Sequence, residues 1–327
     1  MPSHRVRARA RARRLPWLYA VLASVAVAGG TGAGAVYLTG SVGTRGVAPA
    51  AASAETTPAA QESEEPVTVD RDALLAQAMA SVSVADGAEV SVAVLDTDGG
   101  ESASYGDAAF DTASIVKVDV LATLLLQSQD AGRSLTAQER TYATAMIEQS
   151  DNAATTALWK AIGRADGLDT ANARFGLTRT EGGDGELWGL TRTTAADQLT
   201  LLRQVFPTDG TDTSELSEDS RTYLVGLMER IADGQDWGVS AAGSSAALKN
   251  GWLPRSTTGL WVINSIGRVT ADGRTYLVAV VSRGNAAKAD GVSLVEAAAR
   301  AAVSVFSDDT EAAVAVASGS PAAQKSS

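Results

Sequence analysis

The spacing of apolar residues predicts that the middle of this chain is mostly helical. Leu74, Leu75 and Met79 recur at the spacing of one helix face, which predicts a helix over 70–81. The longest predicted helix begins near Ala113 and runs through a cluster of leucines to about residue 129. Similar spacings predict five further helices, at 137–148, 153–162, 193–205, 217–232 and 291–305.

Strands are predicted near both ends of this helical region. Residues 89–95 alternate between polar and apolar side chains and precede the glycine-rich turn 96–100. Residues 259–266 and 274–283 are apolar runs joined by a turn at 271–273. Because strands flank a long helical stretch, we predict an α/β (α+β) fold. Its antiparallel sheet is built from both ends of the domain and covered by helices, with an all-helical subdomain.

Composition separates the two ends of the chain from the predicted domain at 67–306. Residues 1–14 hold six arginines and no acid, and are predicted to be a basic cytoplasmic segment. Residues 15–40 carry no charge, and this run is longer than the roughly 20 apolar residues that are needed to cross a bilayer. The run is therefore predicted to be a transmembrane anchor or a signal sequence. Residues 41–66 and 307–327 have almost no large apolar side chain, which predicts a disordered linker and a disordered tail.

The distribution of charge bears on location and partners. Seven of the 27 basic residues lie within 1–45, where no acid occurs, so the remainder carries 20 basic against 38 acidic residues, a formal charge of −18. Basic residues before an apolar run hold that end in the cytoplasm. We expect a single-pass cell-membrane protein with its folded domain outside the cytoplasm, or a secreted protein if the signal is cleaved. The acidic domain argues against nucleic acid as a partner, and we expect a monomer that meets the membrane only through its N-terminal segment.

The inventory of reactive side chains limits the chemistry. The chain has one histidine, His4, and no cysteine. This composition excludes a Ser-His-Asp triad, a cysteine nucleophile and the usual His/Cys zinc sites, so neither a metal nor another cofactor is expected. A hydrolase built from this chain needs a lysine or a carboxylate as its base.

Ser114 and Lys117 form the first candidate motif. Residues three apart on a helix share a face, so the hydroxyl and the amine can meet. Asp111 and Thr112 are candidate N-caps that place Ser114 in the first turn, where unpaired N–H groups can stabilise an oxyanion. The apolar neighbours of Lys117 favour a lowered pKa for its amine. The alternative is an ordinary helix start with a solvated lysine.

Two further triplets allow a structural and a functional interpretation. Ser150-Asp151-Asn152 lies between two predicted helices, where it could cap a helix or aim a hydroxyl and an amide into a cleft. Lys249-Asn250-Gly251 contains the dipeptide most typical of a hairpin turn. Its functional interpretation is an edge strand along the cleft, in which Lys249 attracts a carboxylate and Gly251 permits close backbone approach.

In this order, the three motifs resemble the signature of class A β-lactamases and the related penicillin-binding, D,D-peptidase-like serine enzymes. The resemblance covers roughly 70–306. It includes 110–126 as the nucleophile helix, 146–154 as the S-D-N loop with its following helix, and 176–180 and 193–196 on either side of the Ω-loop.

The resemblance implies a role for each motif residue. Ser114 would be the acylated nucleophile, Lys117 its general base and Ser150 the shuttle that carries the proton onward. Asn152 would bind the acylamide side chain of the substrate, and Lys249 would attract the substrate carboxylate.

The resemblance also implies an oxyanion hole. It would use the backbone N–H of Ser114 and that of a residue just after Gly251, by position Leu253 or else Trp252.

The chain departs from the family pattern in three places. Asn250 stands where the family has Thr or Ser, and the gap between Ser114 and Ser150 is about two dozen residues shorter than is typical. The Ω-loop is truncated and lacks the Glu-x-x-Leu-Asn pattern that supplies the deacylating base. The candidates to replace that glutamate are Glu186 first and then Glu181 and Asp184, and those for a carboxylate-binding arginine are Arg255 and Arg268.

These observations lead to one leading hypothesis and two alternatives. The leading one is an extracytoplasmic serine hydrolase that forms an acyl-enzyme on Ser114 with a β-lactam or a peptidoglycan-like peptide amide. The first alternative is a D,D-carboxypeptidase or penicillin-binding type of enzyme with slow deacylation, motivated by the truncated Ω-loop. The second is a catalytically degenerate protein that binds the cell wall, motivated by Asn250 and the shortened cleft.

Overall fold

The computed structural model describes residues 69–206, 208 and 213–307. The basic segment, anchor, linker and tail predicted from composition lie almost entirely outside these residues. Within the described part of the chain, no helix combines the length and the apolar character needed to cross a bilayer.

The described chain begins with a helix and a hairpin and continues through a helical middle. The elements of this first part are α1 (Arg71–Met79), β1 (Glu89–Asp96), β2 (Ser102–Tyr105), β3 (Phe110–Asp111), α2 (Val116–Asp130), α3 (Ala137–Glu148), α4 (Asn152–Ala161), α5 (Arg164–Phe175), β4 (Arg192–Thr193), α6 (Ala195–Val205) and α7 (Glu218–Met228). Three long strands and a last helix complete it: β5 (Ser244–Pro254), β6 (Trp261–Ala271), β7 (Arg274–Asn285) and α8 (Lys288–Ser304).

The main sheet confirms the predicted architecture. Its strand order is β2-β1-β7-β6-β5, and every neighbouring pair is antiparallel. The N-terminal strand β1 therefore lies beside the C-terminal strand β7, which joins the two ends of the domain. Strand β5 pairs only with β6 within this sheet and forms one of its edges.

Helices cover the sheet on both faces. One apolar core contains α2 and its neighbouring helices and includes Leu121, Trp159 and Leu202. The other packs α1 and α8 on the opposite face and includes Leu75, Ile263 and Val295. Helix α2 is buried around nearly its whole circumference, which fixes its side chains inside the helical region.

Most predicted elements are present, with differences of a few residues at their ends. Strands β2, β3 and β4 were not predicted, and two further features also differ from the prediction. Helix α5 was not predicted, because Gly167 lowers the helix propensity of a polar segment that lies between Gly163 and Gly176. The hairpin interpretation of Asn250-Gly251 is wrong, because both residues lie within the 11-residue strand β5.

Candidate active site

Ser114 lies in a short 3-10 turn, Ala113–Ile115, that leads into α2. Before this turn, β3 pairs with β4, and the Thr112 N–H donates to the Thr191 carbonyl at 2.9 Å. The predicted capping by Asp111 or Thr112 is not made, because neither side chain accepts a hydrogen bond from the helix start. The turn is instead held through its backbone, and Ser114 stays half-buried at the wall of a cleft.

Asn264 is a supporting residue that the sequence did not reveal. This buried side chain on β6 donates to the carbonyls of Asp111 and Thr112, both at 2.9 Å. The two carbonyls come immediately before the turn that carries Ser114. An isolated asparagine in a strand gives no sequence signal of such a contact, because the contact depends on the packing of distant segments.

Lys117 brings the first two motifs together. Its Nζ donates to the Ser150 carbonyl at 2.7 Å and to Asn152 Oδ1 at 2.9 Å, and it lies at hydrogen-bond distance, 2.9 Å, from the Ser150 hydroxyl oxygen. The side chain is fully buried. Burial, reinforced by the positive charge of Lys249 and opposed by Asp151, lowers the pKa of Lys117 to about 6. A lowered pKa favours the unprotonated amine, whose two N–H groups can donate to the two carbonyl oxygens and whose lone pair can accept a proton.

The S-D-N turn caps the following helix and also directs two side chains at Lys117. Asp151 caps α4 by accepting from the Ala154 N–H at 2.6 Å. Ser150 adopts the left-handed conformation with φ of 57°, which is uncommon for a residue with a side chain. This backbone turn lets Ser150 and Asn152 face Lys117 from either side of the capping aspartate.

Strand β5 brings the third motif to the same place. Lys249 is buried, and desolvation lowers the pKa of its amine to about 7. A Cβ on Gly251 would lie 2.7 Å from the backbone nitrogen of Ser114 and 2.7 Å from the Thr112 carbonyl oxygen. Only glycine therefore allows the strand to come this close to the nucleophile turn.

Asn250 does not occupy the predicted substrate-binding position. Successive side chains of a strand point to opposite faces, so Asn250 points away from the face that carries Lys249 and Gly251. Its buried amide donates to the carbonyls of Gln235 and Trp237, both at 2.8 Å. The expectation of a substrate contact from this amide is corrected: the side chain ties a loop to β5.

The strand pairing distinguishes the two candidates for the second oxyanion donor. The Arg255 N–H donates to the Leu260 carbonyl at 2.8 Å, so it points toward β6. N–H groups in an antiparallel ladder point toward and away from the neighbour in alternation. The unbroken pairing of Leu253 with Val262 and of Trp252 with Ile263 thus directs the Leu253 N–H at β6 and the Trp252 N–H at the free edge. Trp252 replaces Leu253 as the candidate donor.

The cleft has a volume of about 630 Å³ and lies between the turn of Ser114, the end of β5 and the loop before β4. Trp188, on that loop, places the centroid of its ring 5.0 Å from Lys117 Nζ and donates from Nε1 to Thr156 Oγ1 at 3.2 Å. This tryptophan could not be singled out from the sequence, since none of the three motifs contains it. Other side chains that line the cleft are those of Asn152, Leu187, Leu190, Leu253, Pro254 and Arg255.

Glu186 lies at the rim of the cleft and is engaged elsewhere. Its carboxylate accepts from Lys160 Nζ at 2.5 Å, and both side chains are about half exposed, at 55% for the glutamate and 45% for the lysine. This hydrogen bond from Lys160 lowers the pKa of Glu186. Among the described residues, no carboxylate is hydrogen-bonded to Ser114 or Lys117, and neither Glu181 nor Asp184 replaces Glu186. Asp151 acts on Lys117 through its charge, but its carboxylate is engaged in capping α4.

The two candidate arginines lie in different places. Arg255 lines the cleft and pairs with Asp111 at 2.9 Å. Arg268 pairs with Glu229 at 2.8 Å and is not part of the cleft lining. Arg255 is therefore the arginine that a substrate carboxylate could reach.

Comparison with known proteins agrees with this geometry. A model of the beta-lactamase enzyme family matches residues 126–306, a range that includes the S-D-N and K-N-G motifs and begins after Lys117. The solved structure of PBP-A is 21% identical over 72% of this chain and 96% of its own, with a TM-score of 0.60. A class A beta-lactamase from Mycobacterium abscessus is 18% identical over 72% of this chain and 99% of its own, with a TM-score of 0.59. No curated protein matches the chain. At these identities the two structures show a shared fold.

Proposed function

Because the chain belongs to the beta-lactamase enzyme family, we propose that it is a serine hydrolase that forms an acyl-enzyme on Ser114. The observation that carries the proposal is the contact of a buried, largely neutral Lys117 with both Ser150 Oγ and Asn152 Oδ1. The substrate class is a β-lactam or a peptide amide of the cell wall.

In the proposed acylation step, four groups act together. The Ser114 hydroxyl attacks the substrate carbonyl while the Lys117 amine takes its proton. As the C–N bond breaks, Ser150 transfers a proton to the leaving nitrogen and is reprotonated by Lys117. The backbone N–H groups of Ser114 and Trp252 stabilise the negative charge on the carbonyl oxygen.

Asn152, Lys249 and Arg255 orient the substrate in this proposal. Asn152 and Arg255 line the cleft, where the amide can bind the acylamide group and the guanidinium a carboxylate. The buried Lys249 adds positive charge beside them when it is protonated. No metal or other cofactor is needed for any of these steps.

We further propose that deacylation is slow, as in a penicillin-binding enzyme. Hydrolysis of the ester requires a base that activates water. In this chain the side chain beside Lys117 is that of Trp188, which is not a base, and Glu186 pairs with Lys160 at the rim of the cleft. Among the structurally similar proteins, a variant of PBP-A is an acyl-enzyme complex with penicillin G, so a protein of this fold can carry a penicilloyl group. The alternative of a catalytically degenerate cell-wall-binding protein has less support, because the hydrogen bonds of Asn250 to the loop explain why an amide stands at this position.

A fluorescent penicillin and a chromogenic cephalosporin test this proposal together. Covalent labelling that is absent in Ser114→Ala and Lys117→Met, with little cephalosporin turnover, is the expected result. Rapid turnover with no retained label would favour a β-lactamase instead. Labelling that survives Ser114→Ala, or no labelling and no turnover by a folded protein, would contradict the acyl-enzyme.

The location outside the cytoplasm is proposed on the sequence alone, from the basic segment 1–14 and the uncharged run 15–40. Protease added to intact spheroplasts that carry the full chain should digest the domain. Protection from the protease until the membrane is dissolved would contradict this location.

A further inference from the structure

The loop between α7 and β5, residues 229–238, contacts the end of α3 next to the S-D-N turn. The Ala232 N–H donates to the Glu148 carbonyl at 2.7 Å, and the Gln235 side chain donates from Nε2 to the Gln149 carbonyl at 3.1 Å. Arg230 in the same loop pairs with the Glu148 carboxylate at 3.0 Å. Gln149 immediately precedes Ser150, so the Gln235 contact lies one residue from the proposed proton shuttle.

The same loop is fixed at its other end by the K-N-G strand. The Asn250 amide donates to the carbonyls of Gln235 and Trp237. Two donors on one side chain are needed for this arrangement, which a threonine with its single hydroxyl lacks. The amide at this position therefore links β5 to the backbone of Gln235, and the side chain of Gln235 links that backbone to Gln149.

Ser150 has reason to need such support. Its left-handed backbone is unfavourable for a residue with a side chain and persists only where surrounding contacts hold it. Its Oγ must also stay at hydrogen-bond distance from Lys117, because small displacements of a proton-transfer group reduce rates strongly.

We infer that Gln235, held by Asn250, is a positioning residue that keeps Ser150 Oγ in place for proton transfer. This inference rests on the proposed acylation of Ser114. Gln235 does not line the cleft, so it acts through the Gln149 carbonyl and the backbone of Ser150.

A double-mutant cycle tests the inference on the full chain. The rate of labelling by fluorescent penicillin is measured for the native protein, Gln235→Met, Ser150→Ala and the double variant. Methionine keeps the length of the side chain and its neutrality but removes the donor. The matched control is Gln129→Met, because Gln129 likewise donates to a distant carbonyl, that of Glu215 at 3.0 Å, away from the cleft.

The expected result is a labelling rate lowered between about twofold and tenfold by Gln235→Met, the rate equivalent of one neutral hydrogen bond. In the Ser150→Ala background the same change should have no further effect, because the group it positions is gone. Gln129→Met should label at the native rate although it loses at least as much thermal stability, because Gln129 also accepts from the Ser217 N–H at 3.0 Å.

Two results would overturn the inference. One is an equal loss of rate from Gln235→Met with and without Ser150, which would indicate a general structural role. The other is native labelling by Gln235→Met. Failure of the native protein to label would instead reject the acyl-enzyme itself, and the inference with it, so the two failures are distinguishable.

Discussion

Lys117 Nζ lies 5.0 Å from the centroid of the Trp188 ring. The other surroundings of the lysine side chain are Ser150, Asn152 and the core around α2. Burial is the largest cause of the lowered pKa of Lys117. The indole is one of the groups that cover this amine, although the loop that carries it has no regular structure apart from one 3-10 turn.

The first prediction concerns pH. The second-order rate constant of labelling by penicillin should rise as Lys117 loses its proton near pH 6. It should fall again as Lys249 loses its charge near pH 7. Because the two lysines interact electrostatically, the two apparent pKa values of this profile are properties of the pair of lysines together. Stopped-flow labelling between pH 4.5 and 9 measures this profile, which should have a maximum in the neutral range.

The Trp188→Ala variant extends this test. Water that enters beside Lys117 should raise the pKa of the amine and move the acid limb to higher pH. Trp261→Ala is the control, since this half-buried tryptophan packs in the core on the opposite face of the sheet. An acid limb that stays in place in Trp188→Ala, or moves equally in both variants, would argue against the role of the indole.

The second prediction concerns stability. The pKa of Lys117 is about 10.5 in the unfolded chain and about 6 in the folded one, so the unfolded state binds more protons between these pH values. The free energy of unfolding should therefore rise with pH across this window. Lys117→Met removes a buried ionisable group and should raise the free energy of unfolding by about 1–3 kcal/mol at pH 7 while abolishing labelling. Urea titration measures this, and a less stable Met variant would contradict it.

The third prediction concerns Gly251. Alanine here would force β5 away from the Ser114 turn, because its Cβ would meet backbone atoms that do not yield. We expect a loss of about 1–3 kcal/mol in stability and a roughly 100-fold slower labelling, the effect of a misplaced nucleophile.

Gly226→Ala is the matched control for this substitution. Its Cβ would meet only the guanidinium group of Arg230, at an ordinary contact distance of 3.4 Å, in the last turn of α7. It should stabilise the fold by about 0.5–1 kcal/mol and leave labelling unchanged. Similar labelling by the two alanine variants would show that the close approach of Gly251 is not required.

The fourth prediction concerns Glu186. Because its carboxylate pairs with Lys160 at the exposed rim, Glu186→Gln should leave the lifetime of the penicilloyl-enzyme unchanged. Release of the fluorescent label after removal of excess penicillin measures this lifetime. A lifetime prolonged tenfold or more would identify Glu186 as the deacylating base despite its position.

The sequence predicted the part of the site that depends on short spacings. Ser114 and Lys117 are one helical turn apart, and Ser150 and Asn152 belong to one turn, so each motif carries much of its own geometry. The order of the motifs then indicated the fold that brings them together, and Lys117 contacts Ser150 and Asn152 in the structure.

What the sequence did not predict depends on strand facing and on irregular loops. The pairing of β5 with β6 determines the directions of the Asn250 side chain and of the Trp252 N–H. The interpretation of Asn250-Gly251 as a hairpin turn does not contain this pairing. The place of Trp188 depends on a loop whose conformation no periodicity encodes. The supporting amide of Asn264 acts across 152 residues of sequence, beyond any local pattern.

The most direct test of the acyl-enzyme is the intact mass of the protein after mixing with penicillin G, followed by peptide mapping. We expect one added penicillin per chain, located on Ser114, that persists after the free drug is removed, and no addition to Ser114→Ala. An unmodified folded protein, or an adduct on another residue, would contradict it.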